Sequence, residues 1–113
     1  MRQELTAQEL TIYVGEDDKW RGGLLYPAIV ERLKEIGIAG VTVLHGSEGF
    51  GAHARLHTAR IEVLFSGLPV LIEAVDIPER IALAMEAMDE MITEGLVSVH
   101  EVRAVRYLKS PAQ

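Results

Sequence analysis

Residues 68–95 read LPVLIEAVDIPERIALAMEAMDEMITEG, a β-like run passing straight into a helical one. The first nine residues are almost wholly apolar, as in a central strand covered on one face and packed on the other. After Asp76 the period changes. Ile81, Met85, Met88 and Ile92 recur at helical spacing, Asp76 stands three before Glu79 in the manner of a capping box, and Gly95 is placed to stop the helix.

The same alternation is found on either side. Towards the C-terminus, LVSVHEVRAVRYL (96–108) returns as a strand; before the central run, RIEVLF (60–65) is a further β-like stretch, divided from it by Ser66 and Gly67. In ELTIYVG (9–15), Leu10, Ile12 and Val14 fall on one side of an extended chain and Thr11 and Tyr13 on the other, up to Gly15. LLYPAIVERLKEIG (24–37) sets Tyr26, Ile29, Val30, Leu33 and Ile36 at helical spacing, with Pro27 in the first turn and Gly37 placed to end it. AGVTVLHG (39–46) is rich in β-branched residues and reads as a second strand whose end becomes a loop.

The order is βαββαβ. Two such units in about 100 residues most simply form an α+β, ferredoxin-like split βαβ sandwich, an antiparallel sheet with both helices on one face. The 113 residues make one domain, 1–113, with a long loop at about 45–60. At this size a domain hides roughly 65% of the surface of its unfolded chain, enough for a real core. The opposite sheet face has no helix to cover it, and a largely apolar bare face predicts a homo-oligomer.

Composition excludes several classes of function. Eleven basic against 17 acidic residues give a formal charge of −6, which argues against non-specific nucleic-acid binding, because that affinity comes from neutralising phosphates. Without cysteine there is neither a disulfide framework nor a thiolate metal site, and no stretch is apolar for 18 residues. Cytoplasmic residence is the expectation. No nucleophile elbow, phosphate-binding P-loop or acidic metal cluster is legible, so the chain reads as no enzyme. Asp17 and Asp18 read as solvated charges or caps, since nothing supplies a nucleophile beside them.

Chemistry concentrates in HGSEGFGAHARLHTAR (45–60), which holds three of the four histidines and three of the ten glycines. Gly46, Gly49 and Gly51 either form an anion-binding nest of backbone N–H groups or make a plain turn. Arg55 and Arg60, with no acid between residues 49 and 61, concentrate positive potential for an anionic ligand or an acidic partner. No metal site is the primary reading. The alternative is His53 and His57, four apart, with His45 as a third ligand. Trp20, between Lys19 and Arg21, could stack on a base while its neighbours hold a phosphate, or could cover a core edge.

Taken together, EIGIAGVTVLHGSEGFG (35–51), the His57-Thr58 pair and LPVLIEAVD (68–76) resemble the PII signalling proteins. With GEDDKWRG (15–22) and LYPAIV (25–30), the chain looks like the PII-like group catalogued as domain of unknown function 190, over about residues 8–108. The resemblance implies a homotrimer that binds a small anionic effector such as an adenine nucleotide between subunits. A loop at 45–60 would present the bound state to a partner, with a membrane transporter or channel as candidate. Carried over, Gly49, Phe50 and Gly51 match the base of the PII loop, and Arg106 in AVRYL falls where PII proteins place a phosphate-contacting arginine.

The departures also inform. PII proteins carry a glycine-rich, lysine-containing loop after the second helix, whereas this chain has TEGLVSV (93–99), so AMP or ADP suits it better than ATP. No tyrosine lies between residues 45 and 67 to take a uridylyl group. The resemblance also admits a second function, a metal-responsive trimer similar to the divalent-cation-tolerance proteins.

Overall fold

The computed structural model describes residues 1–48 and 67–109. In chain order they form β1 (Arg2–Gly15), β2 (Lys19–Trp20), β3 (Gly23–Leu24), α1 (Leu25–Ile36), β4 (Val41–His45), β5 (Pro69–Asp76), α2 (Pro78–Met91) and β6 (Leu96–Tyr107). The expected β-like run at 60–65 lies outside the described residues.

Four strands make one antiparallel sheet in the order β4-β5-β1-β6, the ferredoxin-like arrangement the sequence predicts. Period-2 alternation puts Leu10, Ile12 and Val14 of β1 on one face, beside Val70, Ile72 and Ala74 of β5, all buried. Both helices close on that face, α1 through Leu25, Ile29 and Leu33, and α2 through Ile81, Ala84 and Met88. At roughly 1.5–3 kcal/mol for each large side chain taken out of water, this layer is the main source of stability.

Gly37 ends α1 in the left-handed region at φ 93, its N–H donating to the carbonyls of Leu33 and Lys34. A Cβ there would stand 2.6 Å from Arg80 Nη1, the group that donates to the Gly37 carbonyl. Gly37→Ala is therefore expected to cost about 1–2 kcal/mol in urea unfolding, through a disfavoured backbone and a displaced Arg80.

Three local readings are corrected. The first strand starts at Arg2 rather than near Glu9, because residues 2–7 pair with β6, and among the described residues with no other strand, from Arg2↔Tyr107 to Ala7↔Val102. A two-stranded ribbon of about 20 Å thus runs on beyond the four-stranded sheet. Asp76 and Glu79 do not form a capping box. Ile77 is the residue before the helix, with no side-chain cap, and Asp76 accepts instead from Ile77 N (2.7 Å) and from Ala39 N (2.9 Å). Finally, EDDKWRGG is not all loop: β2 and β3 form a hairpin whose two turn residues, Arg21 (φ 48) and Gly22 (φ 85), take the positive φ that short hairpins favour.

The sheet's other face is mixed rather than uniformly apolar. Tyr13, Leu71 and Val75 share it with Thr11 and Glu73 in the centre, and Leu44 and Leu96 are 47% and 55% exposed on the outer strands.

Candidate functional site

A cavity of about 300 Å³ opens where β5 ends and the β1–β6 ribbon continues. Leu5 and Ala7 come from β1, Val75 from β5, and Ala104 and Val105 from β6, while the turn at Ala39-Gly40 and the α2 entry at Ile77 close its side. Asp76 holds that side together. Its two oxygens accept from Ala39 and Ile77, tying the turn after α1 to the end of β5. Asp76→Ala removes both acceptors and is expected to cost about 1–2 kcal/mol. Slower-exchanging amides at Ala39 and Ile77 in the native chain than in the variant would register the loss.

Arg106 lines this cavity, whose walls are apolar apart from Asp76, and the two Asp76 oxygens already accept from Ala39 N and Ile77 N. The other described arginines are engaged: Arg2 and Arg103 with Glu4, Arg32 with Glu35, Arg80 with the Gly37 carbonyl, and Arg21 with the Trp20 ring. Arg106 has no such partner among the described residues, so its five N–H donors are available to an anion.

The remaining predicted residues divide into two groups. Lys19 lies in the β2–β3 hairpin opposite Leu24, and Gly46 follows β4, donating to Pro69 O at 2.8 Å. Pro69 pairs with Gly15, whereas Arg106 pairs with Gln3. Gly46 and Arg106 thus stand at opposite ends of β1, about 40 Å of strand apart at ~3.3 Å per residue. One chain does not bring them together. Gly49, Phe50, Gly51, Arg55, Arg60, His53 and His57 lie outside the described residues.

Of the two readings of Trp20, the core-edge one is met: the indole is half-buried against the core, and Arg21 covers it at 4.4 Å from the ring centroid. His45 meets the Tyr26 ring edge-on at 5.4 Å. No three His, Asp or Glu side chains gather into a metal-sized group among the described residues. Asp18 closes the turn after β1, its carboxylate accepting from Gly15 N at 2.8 Å. Sequence reasoning missed Ala39, Gly40 and Asp76 as cavity residues, and the signal available was small residues between a helix stop and a strand.

Comparison with known proteins fits this geometry to a family. The family model DUF190, described as "Uncharacterized ACR", matches residues 7–104. A UPF0166 protein of Methanocaldococcus jannaschii is 39% identical over 98 residues, covering 84% of this chain and 88% of the relative. One from Aquifex aeolicus is 30% identical over 96 residues, covering 85% and 90%. Among solved structures, CPII, a nitrogen regulatory PII-like protein from Thiomonas intermedia bound to ADP, AMP and bicarbonate, superposes with a TM-score of 0.66 at 18% identity, covering 94% of this chain and all of that one. A putative PII-like signaling protein from Thermus thermophilus gives 0.57 at 17%, covering 91% of each. The two structures share the fold, and the match over residues 7–104 shows that the chain belongs to the DUF190 family, with a PII-like architecture.

Proposed function

We propose that this protein is a non-catalytic, cytoplasmic PII-like regulator, a homotrimer that binds an adenine nucleotide at its subunit clefts and signals through the 45–60 segment. The observation that carries this reading is Arg106, an arginine without a partner among the described residues, lining a mainly apolar cavity whose one acid, Asp76, is occupied by main-chain N–H groups. Such a cavity suits a planar, weakly polar body with one anionic arm, which describes a purine nucleotide. AMP or ADP fits better than ATP, because no glycine-rich loop with a lysine follows α2 to hold a third phosphate.

The separation of the site residues supports an assembly of more than one chain, in keeping with the proposed trimer. Lys19 and Gly46 lie at one end of the sheet and Arg106 at the other, so a site using all three combines them from adjacent chains. The half-apolar bare face, with Leu44 and Leu96 exposed, supplies a surface for that assembly. CPII, which shares the fold, was solved with ADP and AMP, in keeping with a nucleotide effector. A membrane transporter or channel is the partner class this reading carries forward, with Arg55 and Arg60 meeting its acidic surface.

The test is thermal unfolding with AMP, ADP, ATP, cyclic nucleotides and zinc, alongside a mass measurement in solution. A nucleotide at 100 times its dissociation constant stabilises by about 2.7 kcal/mol, a shift of several degrees. The expected mass is three times the 12.5 kDa of one chain. A shift with zinc alone, abolished in the His53→Ala, His57→Ala double variant, would transfer the reading to the metal-responsive trimer. A monomer indifferent to nucleotides would end it.

A further inference from the structure

The outer, helical side of the molecule holds a second feature, remote from the Arg106 cavity. The cavity adjoins the end of α1 and the entry of α2, whereas a pocket of about 380 Å³ runs along α1 from Ala28 to Glu35 and is bounded by Trp20, Arg21 and Met91, sharing no lining residue with the cavity. A shallower one of about 280 Å³, between Ile36 and Leu83, shares Arg32 and Glu90 with it. The two are continuous as a trough between α1 and α2. Along α2 its wall is Leu83, Glu86, Ala87 and Glu90, the i, i+3, i+4, i+7 stripe of one helix face. Its length from Leu83 to Met91 is about 12 Å, two helical turns.

Charge and apolarity are combined here in a particular way. Leu83 is 49% exposed at the trough, a large apolar side chain left in water on the side the sheet does not use. Glu86 and Glu90 line the trough beside it and Glu31 lines the deeper part, none with an ion-pair or hydrogen-bond partner among the described residues, while Arg32, which lines both parts, is paired with Glu35 at 3.5 Å. α2 itself carries four acids against one base, so half of the chain's −6 formal charge sits on the helix that forms one wall of the trough. At the end of the trough a cation already occupies the indole face. Arg21 lies over Trp20, held at a positive φ that is disfavoured for a non-glycine residue, and it has no carboxylate partner among the described residues.

We propose that the trough between α1 and α2 is a docking surface for a basic, amphipathic segment of a partner protein. Its apolar side covers Leu83, its basic side meets Glu31, Glu86 and Glu90, and one of its arginines replaces Arg21 on the Trp20 ring. Charge complementarity selects the occupant. An acidic trough with an exposed leucine rejects an acidic segment and leaves a purely polar one without a floor. Arginine is preferred to lysine, because a planar guanidinium stacks on indole and donates to carboxylates at its edge, and Arg21 already makes the first of these contacts.

The test titrates the full-length, isotope-labelled protein with a synthetic amphipathic helix bearing arginines on one face and leucines on the other, and with its lysine and glutamate counterparts. NMR shifts from the arginine peptide should centre on Trp20, Leu83 and Met91, with affinity several-fold above the lysine peptide and no binding of the glutamate one. Glu86→Lys and Glu90→Lys should each weaken binding several-fold, whereas Glu101→Lys, the same change of charge on exposed β6, should leave it within twofold. Trp20→Phe keeps a ring in place and should weaken binding several-fold, and Arg21→Gly, by freeing the indole, should tighten it. Equal losses from the Glu101 and Glu86/Glu90 variants would reduce the effect to bulk charge and overturn the proposal. Shifts confined to the bare sheet face, or self-association that perturbs the trough without peptide, would overturn it too, the latter naming a second copy as the occupant. Nucleotide binding does not enter these measurements, so this proposal and the Arg106 reading stand or fall separately.

Discussion

Ile72→Ala is expected to lower the stability of the protein by about 3–4 kcal/mol, within the roughly 2–5 kcal/mol range for an isoleucine truncated in a close-packed core. Ile72 is fully buried in the middle of β5, paired with Ile12 of β1 on one side and Val43 of β4 on the other. The sheet holds its backbone fixed, so the surrounding side chains cannot close the vacated volume, and the cavity adds to the lost burial. With a urea m-value of about 1.5 kcal/mol/M the midpoint falls by about 2 M, a large share of the roughly 5–15 kcal/mol available to a domain. A loss below about 1 kcal/mol would mean that β5 is not the central, doubly flanked strand described here. Leu44→Ala on the bare face is the informative partner. In an isolated chain a half-exposed leucine costs well under half as much, whereas in a trimer that covers this face the cost approaches that of Ile72 and the solution mass falls as well.

Those two leucine and isoleucine positions mark how far the sequence could be read. β5 was legible because nine successive residues are nearly all apolar, a pattern few elements other than a central strand tolerate. α1 was legible down to its stop at Gly37, since a left-handed terminus has few side chains able to take it. The first half of β1 was not. RQELTAQ alternates no apolar residues strongly enough to signal a strand, and its extension comes from pairing with β6, a partner 97 residues away in the chain for Thr6 and Arg103. Asp76 failed for a related reason. The spacing to Glu79 is that of a capping box, but a main-chain N–H at Ala39, 37 residues away, competes for the same carboxylate and takes it. Both misses are tertiary contacts overriding a local pattern. The candidate site shows the same limit: Arg106 could be picked out by its place in the last strand, but only the register reveals that it lies at the far end of the sheet from Lys19 and Gly46.

Arg106→Ala is expected to lower affinity for AMP or ADP by about 10- to 100-fold while leaving urea stability within about 0.5 kcal/mol. The two halves of that result follow from one feature. Because the guanidinium has no partner among the described residues, its removal breaks no ion pair and strands no acceptor, so folding loses little. A hydrogen bond to a charged group is worth about 1.5–3 kcal/mol, and at about 1.4 kcal/mol per decade its loss from a bound phosphate gives the stated range. Arg106→Lys separates charge from geometry. A lysine keeps the charge but cannot offer the paired donors of a guanidinium, so it should recover only part of the affinity. Arg103→Ala is the matched control, a neighbour on β6 whose guanidinium is already bound to Glu4 at 3.0 Å. If Arg103→Ala weakened nucleotide binding as much as Arg106→Ala, the general positive potential of the ribbon would be responsible and the cavity would lose its claim. If Arg106→Ala instead destabilised the fold by about 2 kcal/mol or more, the arginine would be a structural residue in the assembled protein, held by contacts from an adjacent chain rather than by a ligand.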